Sequence, residues 1–332
     1  DPSTDERIHA MKAIRFAATG GPEVLRLADV DLPPPGPGEI RVRHTAIGIN
    51  FIDTYHRSGL YPVKLPSGLG MEAAGHVEAA GEGVTAFGPG DRVAYASGPI
   101  GAYAEAANVP AARAVAVPDA IPDDIAASVL LKGMTAEFLL RRTYPLKAGE
   151  TILFHAAAGG VGQIACQWAK ALGATVIGTV GGEAKAALAR THGCDHVIVS
   201  SAEDIAARVM EITGGAGVPV VYDGVGKDTW EASLASLKPR GLCVTFGNAS
   251  GPVPAFPPAL LTAKSLYVTR PTLMAYVSTP AELADSAAAL FAVIVSGAVK
   301  VEPPRVYALA DAGAAHADLE ARRTTGSLIL RP

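Results

Sequence analysis

Short apolar or alternating runs, separated by glycine and proline, fill the first third of the chain. Residues 14–16, 40–43 and 92–95 read as strands, and Pro-Pro-Pro-Gly-Pro-Gly at 33–38 and Gly-Pro-Gly-Asp at 88–91 read as turns. Tight turns between short strands predict a compact, antiparallel, barrel-like domain. The texture changes near Ile121. Pro122-Asp123-Asp124 starts a helix whose apolar residues recur at helical spacing through Leu131. From Gly149 onward strands and helices alternate. Strands are predicted over 151–156, 174–180, 196–199, 218–223, 242–247 and 265–269, and helices over 161–172, 183–192, 202–212 and 229–237. Nearly continuous apolar strands in such an alternation predict a doubly wound parallel sheet covered on both faces. A long helix over 280–296, the segment 301–307, a helix ending near Arg323 and a strand-like Ser327-Leu328-Ile329-Leu330 close the pattern. The fold class is therefore α/β, with a β-rich domain and a doubly wound parallel sheet.

Composition narrows this picture. At 332 residues, 49% hydrophobic and 18% charged, the chain has material for two cores and little for disordered arms. A net charge of -4 supplies no basic field for nucleic acid, and no apolar run is long enough to span a membrane. Residues 1–10 are polar, lack an apolar leader core and precede Met11. They are expected to stand outside the fold, and the expected location is the cytoplasm. Cys166, Cys194 and Cys243 are far apart and form no C-x-x-C pair, which predicts three buried apolar thiols rather than disulfides or a zinc knuckle.

The strongest motif is His155-Ala156-Ala157-Ala158-Gly159-Gly160-Val161-Gly162, between a predicted strand and a predicted helix. Glycines let the backbone approach a pyrophosphate, and the helix N-terminus supplies unpaired N–H groups and partial positive charge. Gly162 can serve the close contact between helix and strand. NAD sites place an acidic residue about 20 positions on, at the end of the second strand. Here the strand ends neutrally, in Val180-Gly181-Gly182, with Glu183 and Lys185 following. Lys185 can meet a 2′-phosphate, so NADPH is the predicted cofactor.

Several stretches match one family in order and spacing. Residues 46–55 (Ala-Ile-Gly-Ile-Asn-Phe-Ile-Asp-Thr-Tyr) resemble the nucleotide-facing loop of zeta-crystallin-type quinone oxidoreductases, in the zinc-free branch of the medium-chain dehydrogenase/reductase superfamily. So do 57–62 (Arg-Ser-Gly-Leu-Tyr-Pro), 156–162, 246–250 (Phe-Gly-Asn-Ala-Ser) and 268–271 (Val-Thr-Arg-Pro). The likeness runs from about Met11 to Leu330. It implies a GroES-like catalytic domain over 11–130 with 300–332, and a Rossmann domain over 131–299. Zinc-dependent cousins carry a cysteine at the position of Asn50 and a histidine at that of Met71. Neither asparagine nor methionine suits a catalytic zinc, so no metal is implied.

Residue by residue, the resemblance implies Asn50, Thr54 and Lys132 near the nicotinamide end, and Phe246, Gly247 and Val268 lining its pocket. Gly159, Gly160 and Val161 would lie at the pyrophosphate, and Gly181, Lys185 and Arg322 would serve the adenosine phosphates. Ser200 and Gly224 depart from the family pattern, standing where close relatives carry tyrosine and serine. Read from their chemistry, Tyr55, Tyr61, Asn50 and Arg270 are the candidate catalytic groups, stacking on a flat acceptor and donating hydrogen bonds to its carbonyls. Asp53 orients a neighbour or forms a turn, Lys132 holds the ribose or starts a helix, and His155 reads as a core histidine. The function so implied is NADPH-dependent reduction of a quinone-like small molecule. Alternatives are a 2-alkenal or enoyl reductase on the same fold, and a non-catalytic NADPH- or RNA-binding crystallin-like protein. A homodimer is expected, because 265–269 would be an edge strand with unpaired backbone groups.

Overall fold

The computed structural model describes residues 9–332. In the first third, strands β1 (His9–Arg15), β2 (Arg26–Leu32) and β3 (Glu39–Ile49) precede helix α1 (Phe51–Ser58). Strands β4 (Glu72–Ala80), β5 (Arg92–Tyr95), β6 (Ala106–Pro110) and β7 (Ala114–Ala116) lead into helix α2 (Asp123–Phe138). The central alternation is β8 (Thr151–Phe154), α3 (Gly160–Ala171), β9 (Thr175–Val180), α4 (Ala186–Thr191), β10 (His196–Val199), α5 (Ile205–Ile212), β11 (Val218–Asp223), α6 (Trp230–Ser236), β12 (Leu237–Thr245) and β13 (Tyr267–Thr269). Helices α7 (Leu273–Tyr276) and α8 (Pro280–Val295), strand β14 (Arg305–Ala308), helix α9 (Ala312–Glu320) and strand β15 (Leu328–Arg331) complete the chain.

Two compact units result. One holds the described residues up to Leu131 with 277–291 and 302–332; the other holds 132–276 with 292–301. In the first, β14-β15-β3-β4-β5-β7 form a sheet with β6 on β3, antiparallel except for the β14–β15 pair. Alternation buries Ile40, Val42, Ile47 and Ile49 of β3 against Val77, Val93, Tyr95 and Leu328. The bulges in the β3–β4 register keep this apolar set facing inward along an eleven-residue strand.

The second unit is a parallel six-stranded sheet in the order β10-β9-β8-β11-β12-β13. Its order reverses between β8 and β11, and ligands of open α/β sheets bind at the carboxyl ends of the strands there. Leu153, Ile177, Ile198, Val221 and Cys243 form its core with Trp230 and Leu237. All three cysteines are buried and free.

Three sequence expectations change. His9 and Ala10 belong to β1, paired with Leu32 and Asp31, so the segment 1–10 does not stand wholly outside the fold; its first eight residues lie outside the described ones. Met11 and Ala13 then reach a small core with Ala104 and Ala106. The 46–55 stretch is not a loop. It ends β3 and opens α1, because Asn50 has extended backbone at the N-cap and Asp53 at N3 accepts its N–H. Gly59, with φ 87°, closes that helix in the left-handed region. Lys132 does not start a helix; it lies within α2, buried.

Candidate functional site

The phosphate loop leaves β8 at His155 and turns at Ala156, a non-glycine residue with φ 53°. Gly159 is the N-cap of α3, and no side chain caps it, so the first-turn amides are open to an anion. Gly162 has no room for a side chain: a Cβ would overlap the carbonyl oxygen of Ala156 and lie 2.7 Å from that of Ala157. The glycines and alanines therefore make a cradle whose floor is backbone. A pyrophosphate fits such a cradle, because its oxygens need N–H donors and close approach rather than side chains.

At the end of β9, Gly181 and Gly182 have nothing within 4 Å of a notional Cβ, leaving open space. Lys185 lies in the 3-10 turn that follows, half-buried, while Ser200 is exposed after β10. Ser200 is tied to this corner: its N–H donates to the Val180 carbonyl at 2.9 Å, and its Oγ donates to the same oxygen at 3.1 Å. That hydroxyl proton is spent on backbone, and Lys185 is the basic residue of the turn that follows β9.

Gly224, Phe246, Gly247, Val268 and Arg270 gather at the ends of β11, β12 and β13. A Cβ on Gly224 would lie 3.0 Å from the Phe246 ring, so the glycine accommodates the phenyl group. A Cβ on Gly247 would overlap the Gly224 carbonyl. Arg270 donates from Nη1 to the Gly247 carbonyl at 3.3 Å.

The first unit gathers Asn50, Thr54, Tyr55 and Tyr61 around α1. The Tyr55 and Tyr61 rings meet edge to face at 5.2 Å, and the Tyr61 N–H donates to the Tyr55 carbonyl at 3.1 Å. Tyr55 is buried and Tyr61 half-buried. Thr54 Oγ1 donates to the Phe51 carbonyl at 2.7 Å. Arg322, exposed just after α9, has φ 57°.

What fixes α1 is a buried polar framework that sequence reading missed. Asn50 Nδ2 donates to Glu72 Oε2 at 2.7 Å, and Glu72 Oε1 accepts the Leu131 N–H at 2.8 Å. Asp53 Oδ2 accepts both the Asn50 N–H at 2.9 Å and the Tyr103 hydroxyl at 2.8 Å. Arg57 Nη1 donates to His316 Nδ1 at 2.8 Å, which leaves the imidazole proton on Nε2, 3.0 Å from the Tyr103 oxygen. Burial, reinforced by the Arg57 charge, pushes His316 down to about 3. Burial first, then the Asp53 carboxylate, raises Tyr103 well above the usual phenol value. Both groups are thus held neutral, one N–H and one O–H each pointing along the chain toward Asp53. Only the Asn50-x-x-Asp53 spacing gave a local signal of this framework.

Among the described residues no three histidine, cysteine, aspartate or glutamate side chains converge as metal ligands. No described helix is long and apolar enough to cross a membrane. His155 is buried, with Nδ1 3.0 Å from Thr179 Oγ1 and Nε2 2.9 Å from Ser233 Oγ.

Residues 36–119 match the alcohol dehydrogenase GroES-like domain, and 160–291 match a family described as zinc-binding dehydrogenase. The second span contains neither Asn50 nor Met71. A quinone oxidoreductase of Pseudomonas aeruginosa is 58% identical over 97% of this chain and 99% of its own. The crystal structure of Escherichia coli quinone oxidoreductase complexed with NADPH superposes with a TM-score of 0.95, at 52% identity, over 97% of this chain and 100% of that one. A 2-haloacrylate reductase from Burkholderia is 45% identical over 94% of this chain and 96% of the relative. Identity of this extent, over both units and nearly every residue, decides the grouping: the chain belongs to the quinone oxidoreductase family of the medium-chain dehydrogenase/reductase superfamily.

Proposed function

We propose that this protein is an NADPH-dependent quinone oxidoreductase that works without a metal. The observation that carries the reading is the backbone cradle at Gly159–Gly162, followed by a β9 end that offers Lys185 and no carboxylate on the strand itself. Gly159, Gly160 and Val161 take the pyrophosphate through first-turn amides. Gly181 leaves space for the adenosine ribose, Lys185 and Arg322 supply positive charge to a 2′-phosphate, and Ser200 closes the corner. The nicotinamide supplies hydride when bound. Phe246, Gly247 and Val268 form its pocket, Gly224 makes room for the Phe246 ring, and Asn50, Thr54 and Lys132 are assigned to the nicotinamide end, Lys132 to the ribose.

The Rossmann dinucleotide-binding domain is assigned to 131–299, and the GroES-like catalytic domain to 11–130 with 300–332. Tyr55, Tyr61, Asn50 and Arg270 serve the acceptor. Quinones are already electrophilic, so hydrogen bonds to the carbonyl oxygens, where negative charge develops, are sufficient activation. Asn50 is suited to this because Glu72 takes one of its Nδ2 protons and leaves the other to donate. The acceptor is a small molecule rather than nucleic acid, in keeping with the net charge of -4. The 45% identical 2-haloacrylate reductase favours a second reading, reduction of conjugated enals or acrylates. Following NADPH loss at 340 nm with 1,4-benzoquinone, a 2-alkenal and 2-chloroacrylate separates the two. A preference for either of the latter would overturn the quinone assignment.

The homodimer is part of the same proposal. Strand β13 is one edge of the six-stranded sheet, and Tyr267 on it is 63% exposed. Pairing this edge across a two-fold would satisfy its backbone groups.

A further inference from the structure

A buried chain of hydrogen bonds runs behind the phosphate cradle, and every proton in it can be placed. Asp223, the last residue of β11, is fully buried, and all its partners are donors. Its Oδ1 accepts the N–H groups of Val225 and Gly226, each at 2.9 Å, and its Oδ2 accepts Ser233 Oγ at 2.7 Å. The Thr229 hydroxyl spans both oxygens at 2.8 and 2.7 Å. Because Ser233 spends its one proton on Asp223, its oxygen must accept from His155 Nε2 at 2.9 Å. Nδ1 of a neutral His155 is then a lone pair, and it accepts Thr179 Oγ1 at 3.0 Å. The Thr179 oxygen in turn accepts the Ala156 N–H at 3.3 Å. Burial lowers His155, opposed in part by the Asp223 charge, so the ring holds the single proton this order requires.

The two ends of this chain are the two backbone features the nucleotide reading needs. At one end, Ala156 is held in the left-handed region where the cradle begins. At the other, Asp223 folds the 224–226 turn, whose Gly226 has φ 93°. That turn is stitched to the loop carrying Phe246 and Gly247. The Ser250 N–H and Oγ donate to the Val225 carbonyl at 2.8 and 2.9 Å, and the Lys227 N–H donates to the Gly251 carbonyl at 3.1 Å. The chain thus ties the carboxyl ends of β8, β9 and β11, three neighbours in the sheet.

We propose that Asp223 is a positioning residue for the dinucleotide site. Through Ser233, His155 and Thr179 it sets the phosphate loop and the 224–226 turn in one mutually consistent arrangement. The proposal rests on the reading of this loop as a nucleotide site. It differs from a merely stabilising network in acting as a unit with one direction. Asp223→Asn would reverse that direction: the new amide donates to Ser233, Ser233 donates to His155 Nε2, and the ring proton moves to Nδ1.

Two measurements on the full chain test this. The ¹H–¹⁵N spectrum of the His155 ring should report the Nε2–H tautomer in the wild type and the Nδ1–H tautomer in D223N. NADPH titrations of wild type, T179V, S233A and T179V/S233A, followed by nucleotide fluorescence, should give single-variant Kd values raised about tenfold. The double variant should be no weaker than the weaker single, because a relay broken once has little left to lose. A wild-type ring in the Nδ1–H form overturns the proposal without any variant having to fold. So do single-variant Kd values within twofold of wild type, or losses that multiply in the double variant. A wild-type chain that fails to bind NADPH overturns the nucleotide reading itself, and the proposal with it.

Discussion

Mild acid should destabilise this protein well before its carboxylates titrate. His44 and His316 are both buried in the first unit, with burial pushing them down to about 4 and about 3. His44 cannot relax by taking a proton. Its Nδ1 already donates to the Ala104 carbonyl at 2.7 Å, and its Nε2 accepts the Tyr95 hydroxyl at 2.9 Å. In the unfolded chain each imidazole titrates near its ordinary 6.5. The folded values are lower, so the stabilisation is complete above pH 6.5 and is lost as the pH falls toward 4, where only the unfolded state gains protons. Each histidine contributes about 1.4 kcal/mol per pH unit in that window, and the two together remove about 4 kcal/mol between pH 7 and 5. This is a large share of the roughly 5–15 kcal/mol that holds a domain folded. The assay is urea unfolding followed by circular dichroism at pH 7.0, 6.0, 5.5 and 5.0, on wild type and on H44N and H316Q. Each variant should start less stable at pH 7 yet lose stability less steeply, by about 1.4 kcal/mol per pH unit. A flat wild-type profile, or variants with the wild-type slope, would mean that these two histidines are not held neutral in the folded state.

Further outcomes follow from single contacts. G162A should abolish saturable NADPH binding in fluorescence titration, because its methyl group has only the Ala156 and Ala157 backbone to enter. Y103F should lower unfolding free energy by about 2–4 kcal/mol, since it strips Asp53 of a donor and leaves the His316 N–H without its acceptor; the urea midpoint measures it. Y267E should shift sedimentation from dimer to monomer at micromolar concentration, and a monomeric wild type would remove the edge-pairing proposal.

Local signals carried most of the fold into the sequence. The 218–223 strand emerges with those bounds because five of its six residues are apolar or aromatic, and it pairs on both sides in a sheet covered by helices. The phosphate loop was equally legible, since its small residues lie between a strand and a helix. Helix α1 was not. Its eight residues are mostly polar, and what makes it a helix is Asp53 reaching back to Asn50 and Arg57 reaching the far end of the chain. The Asp53–Tyr103–His316–Arg57 framework draws on residues up to 263 positions apart, with no periodicity for a sequence to display. Gly224 read as a departure from the family pattern. The position of the Phe246 ring explains it, and that ring belongs to a different strand end.

The reaction assigned to this protein is hydride transfer from NADPH to a quinone without a metal. It is tested most directly by stirring chelator-treated protein with NADPH and 1,4-benzoquinone and comparing the initial 340 nm rate with that of untreated and zinc-supplemented protein. Quinone-dependent NADPH oxidation should proceed at the same kcat/KM in all three samples, slowed by 4-deuterated NADPH. Activity that vanishes on chelation and returns with zinc would contradict it, as would an absence of quinone-dependent turnover.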